Sequence, residues 1–168
     1  MYKRQPKSTI DQAIRYVVDS AAKGGGGRID RWQGLGTFSY QRQARSRTTF
    51  PLTAAGVTAL NGLGIYSDEL IDRGIDFLNS EFDRFNHLHG LDGHYFFWYG
   101  HYYGVQAMYT KGGNDWKNYF TRLRTFLLKQ QRSDGSWKNR TGPGEAFSTA
   151  MACLILEIPY DFLPIFHR

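Results

Sequence analysis

Cysteine is nearly missing from this 168-residue chain: Cys153 stands alone, which excludes an internal disulfide and any Cys-Cys metal pair. It lies in the apolar run Ala152 to Leu156, so a small buried hydrophobe is expected there rather than a nucleophile. No run of about 18 apolar residues occurs, so no transmembrane segment is expected. The start, Met1 to Lys7, is basic but lacks the apolar stretch of a signal peptide, so the chain as it stands is cytoplasmic by default. Gly24 to Gly27 is not followed by the Lys-Ser/Thr of a phosphate-binding loop, and no Ser-His-Asp spacing is found. No cofactor is expected from these motifs.

Acidic residues are scarce at the start. Residues 1–47 hold ten Lys and Arg against three Asp, whereas residues 68–92 hold seven acids against two bases. The basic third could pair with that acidic middle, with a partner subunit, or simply be solvated. Arg42, Arg45 and Arg47 lie in no recognisable nucleic-acid-reading motif, so no nucleic-acid partner is expected.

What is abundant is aromatic and helical. Hydrophobic residues make up 41% and charged residues 21%, a globular composition, and the length suits a single domain over 1–168. Twelve Phe, eleven Tyr and four Trp are present, and seven of them fall between Tyr95 and Tyr103. An internal repeat organises the chain. Gly56-Val-Thr-Ala-Leu60 recurs as Gly104-Val-Gln-Ala-Met108 and again as Ala152-Cys-Leu-Ile-Leu156, 48 residues apart each time. The small residues Gly56, Gly104 and Ala152 suggest close helix approach. Asp68, Asp115 and Asp161 also fall roughly in register.

Each copy reads as two helices. Those near 51–63, 95–110 and 146–157 are apolar nearly all round and should be buried on most sides. Those near 68–85 and 114–130 are amphipathic, as is 8–22, with Ser8 or Thr9 as cap and Ile10, Ile14, Val17 and Val18 inward. The connections carry a shared Gly-x-aromatic signature, Gly36-Thr-Phe38, Gly93-His-Tyr95 and Gly135-Ser-Trp137. There the glycine allows a tight turn and the aromatic can fold back over the helix ends. Asp134 suits such a turn, and Glu145 suits a helix N-terminus.

The segment Gln131-x-x-x-Gly135-x-Trp137 resembles the QW motif of the squalene cyclase and prenyltransferase superfamily. Tyr95-Phe-Phe-Trp-Tyr99 and Gly142 to Ala150 look like starts of its inner helices. The resemblance implies an all-α fold, a partial α/α toroid of about three inner/outer hairpins, about half of a full ring. It also implies a place for apolar chemistry, because aromatic faces stabilise carbocations. The Asp-x-Asp-Asp acid of the bacterial cyclases has no counterpart here. Against the protein prenyltransferases, Asp92, Tyr95, Phe97 and Trp98 match a zinc-binding Asp-x-Cys and the Tyr-x-Phe-Trp after it, with His94 in the place of the Cys. The third ligand position falls on Ser148, a poor zinc ligand.

His87, His89, His94 and His101 crowd around Asp92, and His94 and His101 would share a face if both were helical, which keeps a metal site open as an alternative. The residues expected to line a ligand surface are Asp92, His94, Tyr95, Trp98, Tyr99, Tyr102 and Phe147. Their alternative role is packing between helices. Three functions follow. The favoured one is a non-catalytic repeat module that binds an isoprenoid or other apolar ligand, or a protein partner. The others are a terpenoid cyclase or prenyltransferase-type enzyme completed by further chain or a second subunit, and a structural subunit of a larger assembly or homo-oligomer.

Overall fold

The structure is a computed structural model that describes residues 5–21, 36–40 and 48–160. Gly24 to Gly27, Arg42, Arg45, Arg47 and Asp161 lie outside the described residues. The fold is all-α, with helices α1 (Lys7–Asp19), α2 (Phe50–Gly62), α3 (Glu69–Phe85), α4 (Tyr95–Lys111), α5 (Gly113–Gln130) and α6 (Glu145–Glu157). A π-helical turn, Asn86–Gly90, extends α3. Among the described residues the only β pairing is three isolated bridges.

Local chemistry places the helix starts. Thr49 Oγ1 accepts from the Leu52 N–H, with Pro51 in the first turn, and Asp68 Oδ1 accepts from the Leu70 N–H at 2.8 Å. At α4 the cap is His94, whose Nδ1 accepts from the Phe96 N–H at 3.1 Å. Helix α1 departs from expectation. It begins at Lys7 directly after Pro6, so neither Ser8 nor Thr9 is its cap.

The helices alternate between two layers. Helix α4 packs on α2 along one side and on α6 along the other, forming the inner layer. Helix α3 packs mainly on α2, and α5 mainly on α4, in the outer layer. This matches the sequence pattern. Inner helices α2 and α4 bury residues around most of their circumference, while α3 buries one stripe: Ile71, Ile75, Leu78, Phe82 and Phe85. Such side chains supply about 1.5–3 kcal/mol each when fully buried, and Leu78, Val105, Leu123 and Ile155 are completely so.

Two expectations fail at the ends of the row. None of α1's residues is buried, and Ile10 and Val18, expected inward, are 36% and 38% exposed. Cys153 is exposed rather than buried, because no described helix lies on that side of α6. The acidic middle, by contrast, finds partners in the second half of the chain. Asp72 pairs with Lys111 at 2.6 Å, Asp83 with Arg122 at 2.7 Å and Asp92 with Arg140 at 3.3 Å. Pairs this exposed contribute little each.

The repeat's glycines make room for aromatic side chains, from a connection at Gly56 and from the neighbouring helix α5 at Gly104. A Cβ on Gly56 would lie 2.5 Å from the Phe38 ring, and one on Gly104 would strike the Tyr119 hydroxyl. Aromatic side chains occupy the space. The Gly-x-aromatic turns also divide. Phe38 and Trp137 are buried, but Tyr95 is the first residue of α4 and stays exposed. Gly93 has φ of 63° and packs directly on the Lys138 carbonyl, whereas Gly64, with φ of 88°, faces open space. Gly93→Ala should therefore cost about 2–4 kcal/mol from strain and clash together, and Gly64→Ala about 1 kcal/mol from strain alone. Urea unfolding followed by helical circular dichroism measures both, and equal losses would contradict the packing at Gly93.

Candidate functional site

The seven aromatics between Tyr95 and Tyr103 are sorted by helical period. Phe97 and Trp98 turn into the core, and Tyr95, Phe96 and Tyr99 are 38–41% exposed on the opposite side of α4. Tyr102 and Tyr103 are half-buried beside them, with Tyr99 and Tyr103 edge-to-face at 4.9 Å between centroids. Burial, and secondarily the neighbouring Tyr103, pushes the Tyr99 hydroxyl's pKa up, so it stays neutral at ordinary pH.

This corrects one expectation. Trp98 cannot line an open ligand surface because it is sealed inside, edge-to-face with Phe97 and lining a small cavity together with Phe126, Leu127 and Trp137. The cavity there has a volume of about 10 Å³, room for a single water and far below an isoprenoid chain. Phe147 of α6 is half-buried against the core rather than free. What remains is a surface strip along α4, not an enclosed pocket.

At the N-terminal end of that strip, Asp92 and His94 serve the fold. Asp92 Oδ1 accepts from Arg140, and His94 is held outside the helix as its cap, so it does not share a helical face with His101. His94 stacks on Tyr95 at 4.7 Å and lies 5.2 Å from His89 between ring centroids. Among the described residues no three His, Cys, Asp or Glu side chains converge to hold a metal ion. Ser148, the position of the third ligand, is buried, its hydroxyl directed at the Trp137 carbonyl at 2.6 Å.

Trp137 explains the turn that carries the QW-like sequence. Its indole N–H donates to the Leu127 carbonyl at 2.8 Å near the end of α5, and its backbone N–H donates to Thr149 Oγ1 of α6 at 3.1 Å. Gln131 Nε2 donates to the Gly135 carbonyl, closing the turn on itself. Asp134 Oδ1 accepts from both the N–H and the hydroxyl of Ser136, which holds its carboxyl below the usual range. Glu145 pairs with Arg132 at 2.7 Å in the first turn of α6. These acids are accounted for locally.

The histidine that matters structurally is His101, which sequence reasoning grouped with the others. Asn86 Oδ1 lies 2.6 Å from its Nε2, and the Tyr119 hydroxyl lies 2.9 Å from Nδ1. A carbonyl oxygen can only accept, so Nε2 carries the proton and Tyr119 donates to Nδ1. Phe50, Phe82, Phe85 and Phe97 surround the ring at 4.6–5.5 Å. Burial without a counter-ion lowers the His101 pKa to about 3. The repeat held the signal for it. Position 101 lies 48 residues from both Thr53 and Thr149, which accept the backbone N–H of Phe38 and Trp137. In the middle copy, the imidazole at this position bonds two side chains instead, Asn86 and Tyr119.

A group whose folded pKa lies below its unfolded value of about 6.5 binds more protons when unfolded. Its contribution is therefore complete at neutral pH and is lost as pH falls from about 6.5 toward 3, at up to about 1.4 kcal/mol per pH unit. Unfolding free energies measured at several pH values should show that slope reduced in His101→Gln relative to the parent. Parallel pH profiles would rule out a neutral buried imidazole.

Searches against protein-family models, curated proteins and solved structures found no match to this chain.

Proposed function

We propose that the chain is a non-catalytic α/α-toroid repeat module that presents the aromatic strip of α4 to an elongated apolar ligand of isoprenoid type or to an apolar segment of a protein partner. The observation that carries this reading is the exposure of Tyr95, Phe96 and Tyr99 on a helix that is otherwise buried nearly all round. Exposed rings grouped on one face are an interaction signal, whereas scattered ones are not. The QW-like turn and the alternating two-layer packing support the toroid assignment.

The enzyme reading has less support. Asp92, His94 and Ser148, its best candidates, are each engaged by a fold contact: with Arg140, the Phe96 N–H and the Trp137 carbonyl. Asp134 and Glu145 are exposed groups tied to Ser136 and Arg132.

Calorimetric titration with farnesol tests the reading directly. Binding to the parent is expected, and Tyr95→Ala combined with Tyr99→Ala should weaken it about tenfold, or about 1.4 kcal/mol. Both residues are surface-exposed, so helical circular dichroism should be unchanged. Equal affinity in parent and variant would remove the strip from the binding surface, and no heat from the parent would remove the isoprenoid-type ligand.

A further inference from the structure

Two tryptophans wall the small cavity that lies between α4, α5 and the connections flanking them. Trp137 is satisfied, its indole N–H donating to the Leu127 carbonyl at 2.8 Å. Trp98 differs. It is 2% exposed, and its indole nitrogen is closed to solvent with no hydrogen-bond partner among the described residues. An indole N–H can only donate, and buried polar side-chain atoms nearly always find a protein group or an ordered water. The Trp98 N–H therefore calls for an acceptor beyond those residues.

The cavity selects that acceptor by size. Its volume of about 10 Å³ matches one water-sized probe and is too small for an isoprenoid chain. A buried water also needs about two to four polar partners, whereas cavities that stay dry are apolar throughout. Here the walls are mixed, and the polar groups come from different elements. Gln130, at the end of α5, carries a side-chain amide, and Lys138 lies on the connection after α5. The Lys138 carbonyl is packed against Gly93, which has no Cβ to block it. A carbonyl oxygen has two lone pairs, so it can accept from a water while a second donor uses the other.

From the unpaired donor and the cavity beside it we infer that this cavity is the binding site of a single structural water, which accepts from Trp98 Nε1 and donates to the Lys138 carbonyl and the Gln130 side-chain oxygen. The water does for Trp98 what the Leu127 carbonyl does for Trp137: each ties an indole to the C-terminal end of α5. One bound molecule thus links α4 to α5 and to the connection that carries Trp137. The site is separate from the α4 strip, because Trp98 lies on the buried side of that helix.

Nuclear Overhauser spectra of the 168-residue chain, recorded at the water resonance, test this. Trp98→Phe identifies the Trp98 indole signal. Should that variant not fold, the edge-to-face contact with Phe97, 4.9 Å between centroids, identifies it in the parent. The Trp98 indole proton should show a cross-peak to water whose sign changes between laboratory-frame and rotating-frame spectra. That change marks a held water in contact rather than proton exchange with solvent. The Trp137 indole proton, bonded to a carbonyl, should show no such peak and serves as the internal control. A crystal structure of the parent should hold one water at about 2.7–3.2 Å from Trp98 Nε1. A Trp98 indole proton without the water contact overturns the inference, as do equal contacts at both indoles or a Trp98 Nε1 bonded directly to a protein group.

Discussion

The contact on which most of this structure depends is the buried knot of Asn86, His101 and Tyr119. It joins the π-helical turn after α3 to the middle of α4 and to α5, so one imidazole holds the outer layer to the inner layer in two places. Leaving either ring nitrogen without a partner inside a shell of four phenyl rings would cost about 1–3 kcal/mol, which makes the arrangement close to all-or-none. The π turn itself follows from this demand. Asn86 reaches Nε2 from a segment where the chain has left α-helical register, and such turns persist only where tertiary contacts support them.

That knot also settles which aromatics are free. With His101 pointed into the core, helical period carries Phe97, Trp98, Gly104 and Val105 inward with it. Tyr95, Phe96 and Tyr99 are left on the outer side of the same helix. The exposed strip and the sealed histidine are therefore one fact about the rotation of α4. Asp92 and His94, near the strip, are drawn into an ion pair and a helix cap.

The repeat was the most readable feature of the chain. Apolar residues around the circumference of α2 and α4, against single stripes on α3 and α5, placed those helices within a residue or two and assigned their layers. The 48-residue register aligns Thr53, His101 and Thr149, of which the threonines accept backbone N–H groups and His101 bonds the side chains of Asn86 and Tyr119. Reading His101 by its proximity to Asp92 obscured this. Proximity along the chain says little when His94 caps a helix and His101 lies two turns inside it. Tyr95 misled in a similar way. Its Gly-x-aromatic spacing matched Phe38 and Trp137, but the middle connection is too short for the aromatic to fold back before α4 begins.

Amino-acid order alone determined the helix class, the alternation of apolar and amphipathic helices, and the glycine turns, because these depend on neighbours within a turn or two. Tertiary structure decided everything that depends on what lies beside a helix. It buried Trp98 and exposed Cys153, though both lie in apolar surroundings, because Trp98 is enclosed with Phe97 beside a water-sized cavity and no described helix covers Cys153. It also left α1 amphipathic but unburied. Periodicity marks the face a helix has available for packing, and only the arrangement of the other helices determines whether that face is met.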